Sequence, residues 1–120
     1  MTIITEALKY SAAGDELHGH LAYDDAISGE RPGVLIIHEW WGLNDYMRER
    51  AAQIAGLGYA ALALDMYGEG KVGSSADEAG ALMTTVLNDM DTGTARLQAG
   101  FDALAGHSLV DKEIGSAPRR

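Results

Sequence analysis

The sequence contains no cysteine. Residues 1–120 therefore form no disulfide bond and supply no thiolate nucleophile and no cysteine-based metal site. Basic residues are also scarce, because 9 Lys and Arg stand against 18 Asp and Glu, which gives a formal net charge of -9. Binding to phosphates needs clustered Lys and Arg, so we expect neither nucleic acid nor an anionic membrane surface as a partner.

Long apolar runs are missing as well. The first residues do not combine a basic region with a long apolar stretch, so we predict no signal peptide. The longest apolar runs are far too short to span a bilayer. The absence of cysteine fits a cytoplasmic protein, which we therefore expect. The chain has 120 residues, of which 47% are hydrophobic, enough for the core of one domain covering residues 1–120.

The first part of the chain has the alternating pattern of β-strands. Residues 2–10 alternate partially and residues 15–23 alternate better, with Leu17, Gly19 and Leu21 on one side. Residues 13–15 supply a turn between them. We therefore predict an antiparallel hairpin.

A strand–helix–strand unit follows over residues 33–64. Residues 33–38 and 59–64 are continuous apolar runs, which is typical of strands covered on both faces in a parallel sheet. Between them, Asn44 is a favourable N-cap, and Gly58 is suited to a left-handed residue at the end of the helix. The pattern predicts an α/β fold.

Two further helices are predicted after a glycine-rich loop over residues 65–73. Ser75 and Glu78 have the spacing of a capping box. The next apolar face is spaced as in a helix and comprises Ala79, Leu82, Met83, Val86 and Leu87. The third helix starts near Asp91 and ends at Gly106, and its predicted apolar face comprises Leu97, Phe101, Leu104 and Ala105.

Two strand ends carry the residues best suited to a binding site. Residues 38–42 are His-Glu-Trp-Trp-Gly and residues 65–68 are Asp-Met-Tyr-Gly. Ligands of open α/β sheets bind beyond the carboxyl ends of the strands. Aromatic residues with a few polar groups suit a small organic ligand, so we place Trp41 and Tyr67 in a predicted substrate pocket.

The same segments carry a resemblance to a known family. Residues 32–45, PGVLIIHEWWGLND, resemble the segment after the third strand of dienelactone hydrolases, and residues 58–68, GYAALALDMYG, followed by Gly70 and Lys71, resemble their fourth strand and its loop. The resemblance covers residues 2–111 and implies the N-terminal half of an α/β-hydrolase fold. It also implies hydrolysis of a small ester or lactone, with no cofactor and no metal.

The resemblance also implies roles for two residues. By position, Glu39 corresponds to the glutamate that contacts the nucleophile in the resting enzyme. The backbone N–H of Trp40 corresponds to a donor of the oxyanion hole, which stabilises the negative charge that develops on the carbonyl oxygen.

The sequence departs from the family pattern at its end. Residues 115–120, GSAPRR, do not continue the strand that precedes the nucleophile in the family. No nucleophile, catalytic aspartate or catalytic histidine matches the family pattern, so we expect the chain to be inactive as it stands. A frameshifted enzyme, a gene fragment and a genuine short protein stay open, as does a non-catalytic binding or assembly module.

Several residues have simpler interpretations. We interpret Asp65 as an acid that binds nearby backbone, with a catalytic role as the alternative. At least one of Trp40 and Trp41 is expected to serve packing. Tyr67 is equally well interpreted as a partly buried loop tyrosine, and the alternative for Glu39 is a structural carboxylate that caps the helix after it. Ser108 follows a helix and lacks the second glycine of a nucleophile elbow, so it is not expected to be a nucleophile. His18 and His20 are interpreted as surface residues, since two ligands alone make a weak metal site.

One partner is predicted from the topology that the resemblance implies. Without a fifth strand, residues 33–38 would form an open apolar sheet edge. Open edges pair with other chains. We therefore expect self-association through this strand.

Overall fold

The chain begins with a long β-hairpin. In the computed structural model, which describes residues 2–12, 14–27, 29–38, 41–108 and 110, β1 (Ile3–Ala12) pairs antiparallel with β2 (Asp15–Asp24). Ala12 faces Asp15 across the turn, where Gly14 has a φ of 88° that favours glycine. The predicted hairpin is confirmed.

A parallel strand pair completes the sheet. β3 (Gly33–Ile36) runs parallel to β4 (Ala60–Ala63), and α1 (Asp45–Ala55) joins them. The described strands form one sheet in the order β1-β2-β4-β3. The predicted α/β fold is confirmed, although both apolar strands are shorter than the predicted ranges 33–38 and 59–64.

Helices cover both faces of β4. Ala61 and Ala63 pack in one buried cluster with Met47, Ala51 and Ala55 of α1. Leu62 and Leu64 point the opposite way, into a second buried cluster that includes Leu104. This alternation follows from the two-residue period of a strand. Each fully buried leucine contributes roughly 1.5–3 kcal/mol through the hydrophobic effect.

β3 is less covered than predicted. Leu35 packs against the cluster around Leu62, and Ile36 packs against the cluster around α1, but every residue of β3 is only half-buried. The reason is its position at one edge of the described sheet. Along that edge, a parallel bridge joins Arg31 to Val110.

The predicted helix caps are confirmed. The Asn44 side chain accepts from the Met47 N–H at the start of α1, and Gly58, beyond its end, has a φ of 104°. α2 (Ala76–Leu87) begins at Ser75, whose side chain accepts from the Glu78 N–H. The Glu78 carboxylate in turn accepts from the N–H of Ser74, one residue before the cap.

The apolar faces of α2 and α3 (Met90–Ala105) differ from the prediction. In α2 only Ala79 is buried, because the helix packs mainly on α3, and Leu87 is 60% exposed. In α3 the buried residues are Gly93, Gly100 and Leu104, whereas Leu97 is 37% exposed. Among the described residues, no helix combines the length and apolar character required to cross a bilayer.

Candidate active site

The carboxyl ends of β3 and β4 lie side by side. Ile36 pairs with Ala63, and the Leu64 N–H donates to the Ile36 carbonyl at 2.9 Å. His38 follows one strand and Asp65 follows the other. The two segments that the sequence singles out are therefore neighbours, as expected for parallel strands.

His38 connects these two segments. Its side chain is 8% exposed, and its Nε2 accepts a hydrogen bond from the Met66 N–H at 3.1 Å. The ring also packs on Tyr67, with centroids 4.7 Å apart and an interplanar angle of 60°. No role was predicted for His38, although a histidine at the end of an apolar strand is a signal visible in the sequence.

Asp65 binds backbone. Its carboxylate is fully buried and accepts from the N–H groups of His18 at 2.9 Å, Gly68 at 2.9 Å and Gly70 at 2.8 Å. Three charge-assisted bonds compensate for the burial of this charge. The interpretation of Asp65 as a backbone-binding acid is confirmed.

The loop after β4 forms an anion-binding concavity that this carboxylate fills. Gly68, Glu69 and Gly70 have consecutive positive φ angles of 87°, 55° and 73°. The N–H groups of Gly68 and Gly70 turn toward the carboxylate of Asp65, whereas the N–H of Glu69 donates to the Glu16 carbonyl of β2 at 2.9 Å. The loop is therefore held by its own strand end and by β2.

Arg96 of α3 holds the same loop from another side. Its Nη1 donates to the Met66 carbonyl at 2.8 Å, and its Nη2 donates to the Asp15 carboxylate at 3.1 Å. A Cβ on Gly68 would lie 3.0 Å from Nη2, so glycine suits the close approach. Arg96 was not predicted as a site residue, and its only signal in the sequence is a lone arginine between Gly93 and Gly100.

Two tyrosines border this loop. The Tyr10 hydroxyl accepts from the Asp65 N–H at 3.3 Å, and burial, as the largest cause, raises the pKa of Tyr10 above its ordinary value of 10.0. Tyr67 is 5% exposed, and burial raises its pKa as well. Both phenols therefore stay protonated at neutral pH.

Of the four predicted site residues, the structure describes two, Trp41 and Tyr67. Trp41 is 37% exposed, and its carbonyl accepts from the Gly73 N–H at 2.9 Å, while Tyr67 is buried against His38. Trp41 and Tyr67 thus belong to the two neighbouring loops. Glu39 and Trp40 lie outside the described residues, and their roles stay predictions.

The alternative sites are not assembled among the described residues. Ser108 is exposed in the turn after α3, and Gly106 caps that helix, so the helix–turn context is as predicted. His18, which lies 2.8 Å from Glu16, and His20 are both half-buried and thus less exposed than the predicted surface residues. Within the described ranges, no three His, Cys, Asp or Glu residues are grouped so as to hold a metal ion.

A separate cleft of about 190 Å³ lies between α2, α3 and the hairpin turn. Its lining contains neither Trp41 nor Tyr67. The lining residues are Asp15, Thr85, Val86, Asp89, Thr92, Gly93 and Arg96.

Comparison with known proteins decides the family. The model of the dienelactone hydrolase family matches residues 17–117, most of the chain. The chain belongs to the dienelactone hydrolase family. The arrangement of its sheet and helices is that of an α/β-hydrolase fold, as predicted.

Individual relatives agree with this assignment. Protein usf of Aquifex pyrophilus is 43% identical over 77 residues, which is 61% of this chain and 33% of that protein. The solved structure named m3DLH is 33% identical with a TM-score of 0.87, covering 92% of this chain and 46% of that one.

A second solved structure is equally similar. It is titled a dienelactone hydrolase-like promiscuous phosphotriesterase, P91, from metagenomic libraries, and is 34% identical with a TM-score of 0.87. The match covers 93% of this chain and 46% of that one. The chain thus spans between a third and a half of the length of these relatives.

Proposed function

We propose that this chain forms the oxyanion-hole side of a hydrolase site for small carboxylic esters or lactones. The observation that supports it best is the family match over residues 17–117, combined with the adjacent carboxyl ends of β3 and β4. In the proposal, the backbone N–H of Trp40 donates to the carbonyl oxygen of the substrate as negative charge develops there. Glu39 contacts the nucleophile before the substrate arrives.

The neighbouring loop supplies the wall of the proposed pocket. Tyr67 packs on His38, and Trp41 lies on the loop after β3 with part of its indole exposed. An apolar wall with an exposed aromatic suits the acyl or lactone part of a small substrate. The fixed loop around Asp65 would keep this wall in place during catalysis.

The covalent step needs groups from outside residues 1–120 in this proposal. A nucleophile, a histidine and an aspartate form the acyl-enzyme and resolve it in hydrolases of this kind. We propose that residues 1–120 alone do not turn over, because the covalent route is lost without the nucleophile and only binding and oxyanion stabilisation remain.

The test is hydrolysis of p-nitrophenyl acetate and a simple enol lactone by the purified 120-residue chain. We expect no rate above the buffer background, and Ser108→Ala should change nothing. A rate that Ser108→Ala abolishes would make Ser108 the nucleophile and contradict the proposal.

The complementary test uses a longer protein, in which residues 1–120 are joined to the segment encoded downstream; we call it the joined protein. Coding sequence downstream of the chain is searched in every frame for Gly-x-Cys-x-Gly or Gly-x-Ser-x-Gly, and the joined protein is assayed. We expect hydrolysis that Glu39→Gln impairs. A phosphotriester is assayed in parallel because the relative P91 is named for that activity.

A non-catalytic assembly module is the second candidate. It is favoured by the half-buried edge strand β3 and by Ile37, which follows it and is 54% exposed. An open apolar edge is a template for pairing with another chain. A joined protein without any hydrolysis, but with a stable complex through this edge, would favour the second candidate.

A further inference from the structure

His38 stands at the junction of the two loops that form the proposed site. It is the last described residue before Glu39 and Trp40, and its side chain reaches across to the loop after β4. We infer that His38 is a positioning residue, whose Nε2 ties the end of the β3 segment to the backbone of Met66. The end of the segment that follows β3 is thereby held next to the loop after β4.

The backbone ladder between β3 and β4 stops just before this contact. The last register pair is Ile36 with Ala63, and the last backbone bond runs from the Leu64 N–H to the Ile36 carbonyl. The Met66 N–H, two residues further along, donates to a side chain instead. The imidazole of His38 thus continues the connection where the strands themselves separate.

The contact fixes the state of the ring. A nitrogen that accepts from an N–H must offer a lone pair, so Nε2 of His38 is unprotonated and the neutral ring carries its proton on Nδ1. Burial of the ring to 8% exposure and its packing on Tyr67 restrict its rotation. In such surroundings a hydrogen bond is electrostatically stronger than at the surface.

Met66, the partner of His38 in this hydrogen bond, is itself held by further contacts. Met66 is held by its N–H through His38 and by its carbonyl through Arg96 at 2.8 Å. Asp65, next to it, is bound to three backbone N–H groups, one of them in β2. His38 therefore attaches the β3 segment to a rigid frame that the hairpin and α3 support.

Three substitutions of His38 separate this role from general packing. The amide oxygen of glutamine can occupy the position of Nε2, whereas that of asparagine corresponds to Nδ1, and leucine offers no acceptor. We expect His38→Gln to keep the Met66 amide protected from hydrogen exchange. His38→Asn and His38→Leu should speed its exchange by about tenfold, the worth of one net hydrogen bond.

A further measurement uses only the wild-type chain, so it does not depend on whether the variants fold. In nitrogen-15 spectra of the imidazole, Nε2 of His38 should be the unprotonated nitrogen and should couple to the Met66 amide. A protonated Nε2, or rescue by asparagine and not by glutamine, would overturn the inference. Equal exchange in all three variants would overturn it as well.

The value of this placement for catalysis rests on the proposed function of Glu39 and Trp40, but the contact does not. None of the measurements uses hydrolysis. A chain that shows the predicted tautomer and the rescue by glutamine, yet is never active in a joined protein, would refute the proposed function alone.

Discussion

The side chain of Leu64, the residue directly after β4, occupies the space in which Gly100 of α3 would carry a Cβ. A Cβ built on Gly100 would overlap Leu64 Cδ2 and lie 3.3 Å from Leu64 Cγ. Both residues are buried, and Leu64 is fully so. The helix backbone thus packs directly on the strand end that leads into Asp65.

Gly100→Ala should therefore destabilise the chain. Alanine is favoured over glycine in a helix by about 1 kcal/mol, but overpacking of a buried site costs about 1–3 kcal/mol. We expect a net loss of up to about 2 kcal/mol in the free energy of unfolding, measured by urea denaturation.

Gly93→Ala is the matched control in the same helix. Its Cβ would meet only Val86 Cγ1 at 3.6 Å, an ordinary van der Waals contact. Here the helix propensity acts alone, and we expect a gain of up to about 1 kcal/mol. Equal effects of the two substitutions would show that Leu64 does not constrain Gly100.

Asp65→Asn tests the anion-binding loop. The carboxylate accepts from three N–H groups, two of them on Oδ2 and one on Oδ1, so an amide must place its own NH₂ against at least one donor. A buried donor without a partner costs about 1–3 kcal/mol. We expect a loss of this size in urea denaturation and a larger loss for Asp65→Ala.

The control for this loop is Asp91→Asn. Asp91 is an exposed acid in the first turn of α3, where its charge interacts with the helix dipole. Its removal should cost about 0.3–1 kcal/mol. An Asp65→Asn variant as stable as this control would show that the three backbone bonds contribute little.

The caps, the hairpin and the buried β4 could be predicted because each depends on neighbours in sequence. Asn44 caps a helix through Met47, three residues away. The contacts of the site are different: His38 meets Met66 across 28 residues, and Asp65 meets His18 across 47. Local patterns contain no information on such pairs until the sheet order is known.

The buried face of α3 was predicted only in part, for a related reason: Leu104 is buried as expected, but Leu97 is not. Hydrophobic periodicity selected Leu97, whereas the helix buries Gly93 and Gly100 and lays the partly buried Arg96 between them. Glycine has no side chain and adds nothing to an apolar pattern. Hydrophobic periodicity therefore cannot reveal the close approach of a helix backbone to a sheet. An arginine that binds a loop carbonyl likewise has the same sequence pattern as a surface residue.

His20 predicts a dependence of stability on pH. Burial, followed by the positive charge of Arg48, lowers the pKa of His20 below its ordinary value of 6.5. The unfolded chain therefore binds more protons between the two pKa values, so the contribution of His20 to stability falls as pH decreases from 6.5 toward the folded pKa. His20→Gln should flatten this part of the stability curve.

Arg48→Gln checks the cause of that shift. Removing the guanidinium should move the pKa of His20 part of the way toward 6.5, because burial, the larger cause, remains. The pKa is measured by NMR titration of the His20 ring protons. An unchanged pKa would show that Arg48 does not act on His20.

The edge of β3 predicts self-association of the purified chain. Val34, Leu35 and Ile36 are half-buried and Ile37 is 54% exposed, while the only pairing described along the outer edge is the Arg31–Val110 bridge. Unpaired N–H and carbonyl groups beside apolar side chains favour pairing with another copy. Light scattering after size exclusion should therefore give a mass that rises with concentration.

Ile37→Lys should shift this equilibrium toward the monomer, because a lysine at an open strand edge opposes pairing. Leu57→Lys is the matched control: Leu57 is 76% exposed beyond the end of α1, so the same change of charge and polarity occurs away from β3. If both variants reduce association equally, the added charge and not the edge is responsible. A wild-type chain that stays monomeric at every concentration contradicts the prediction.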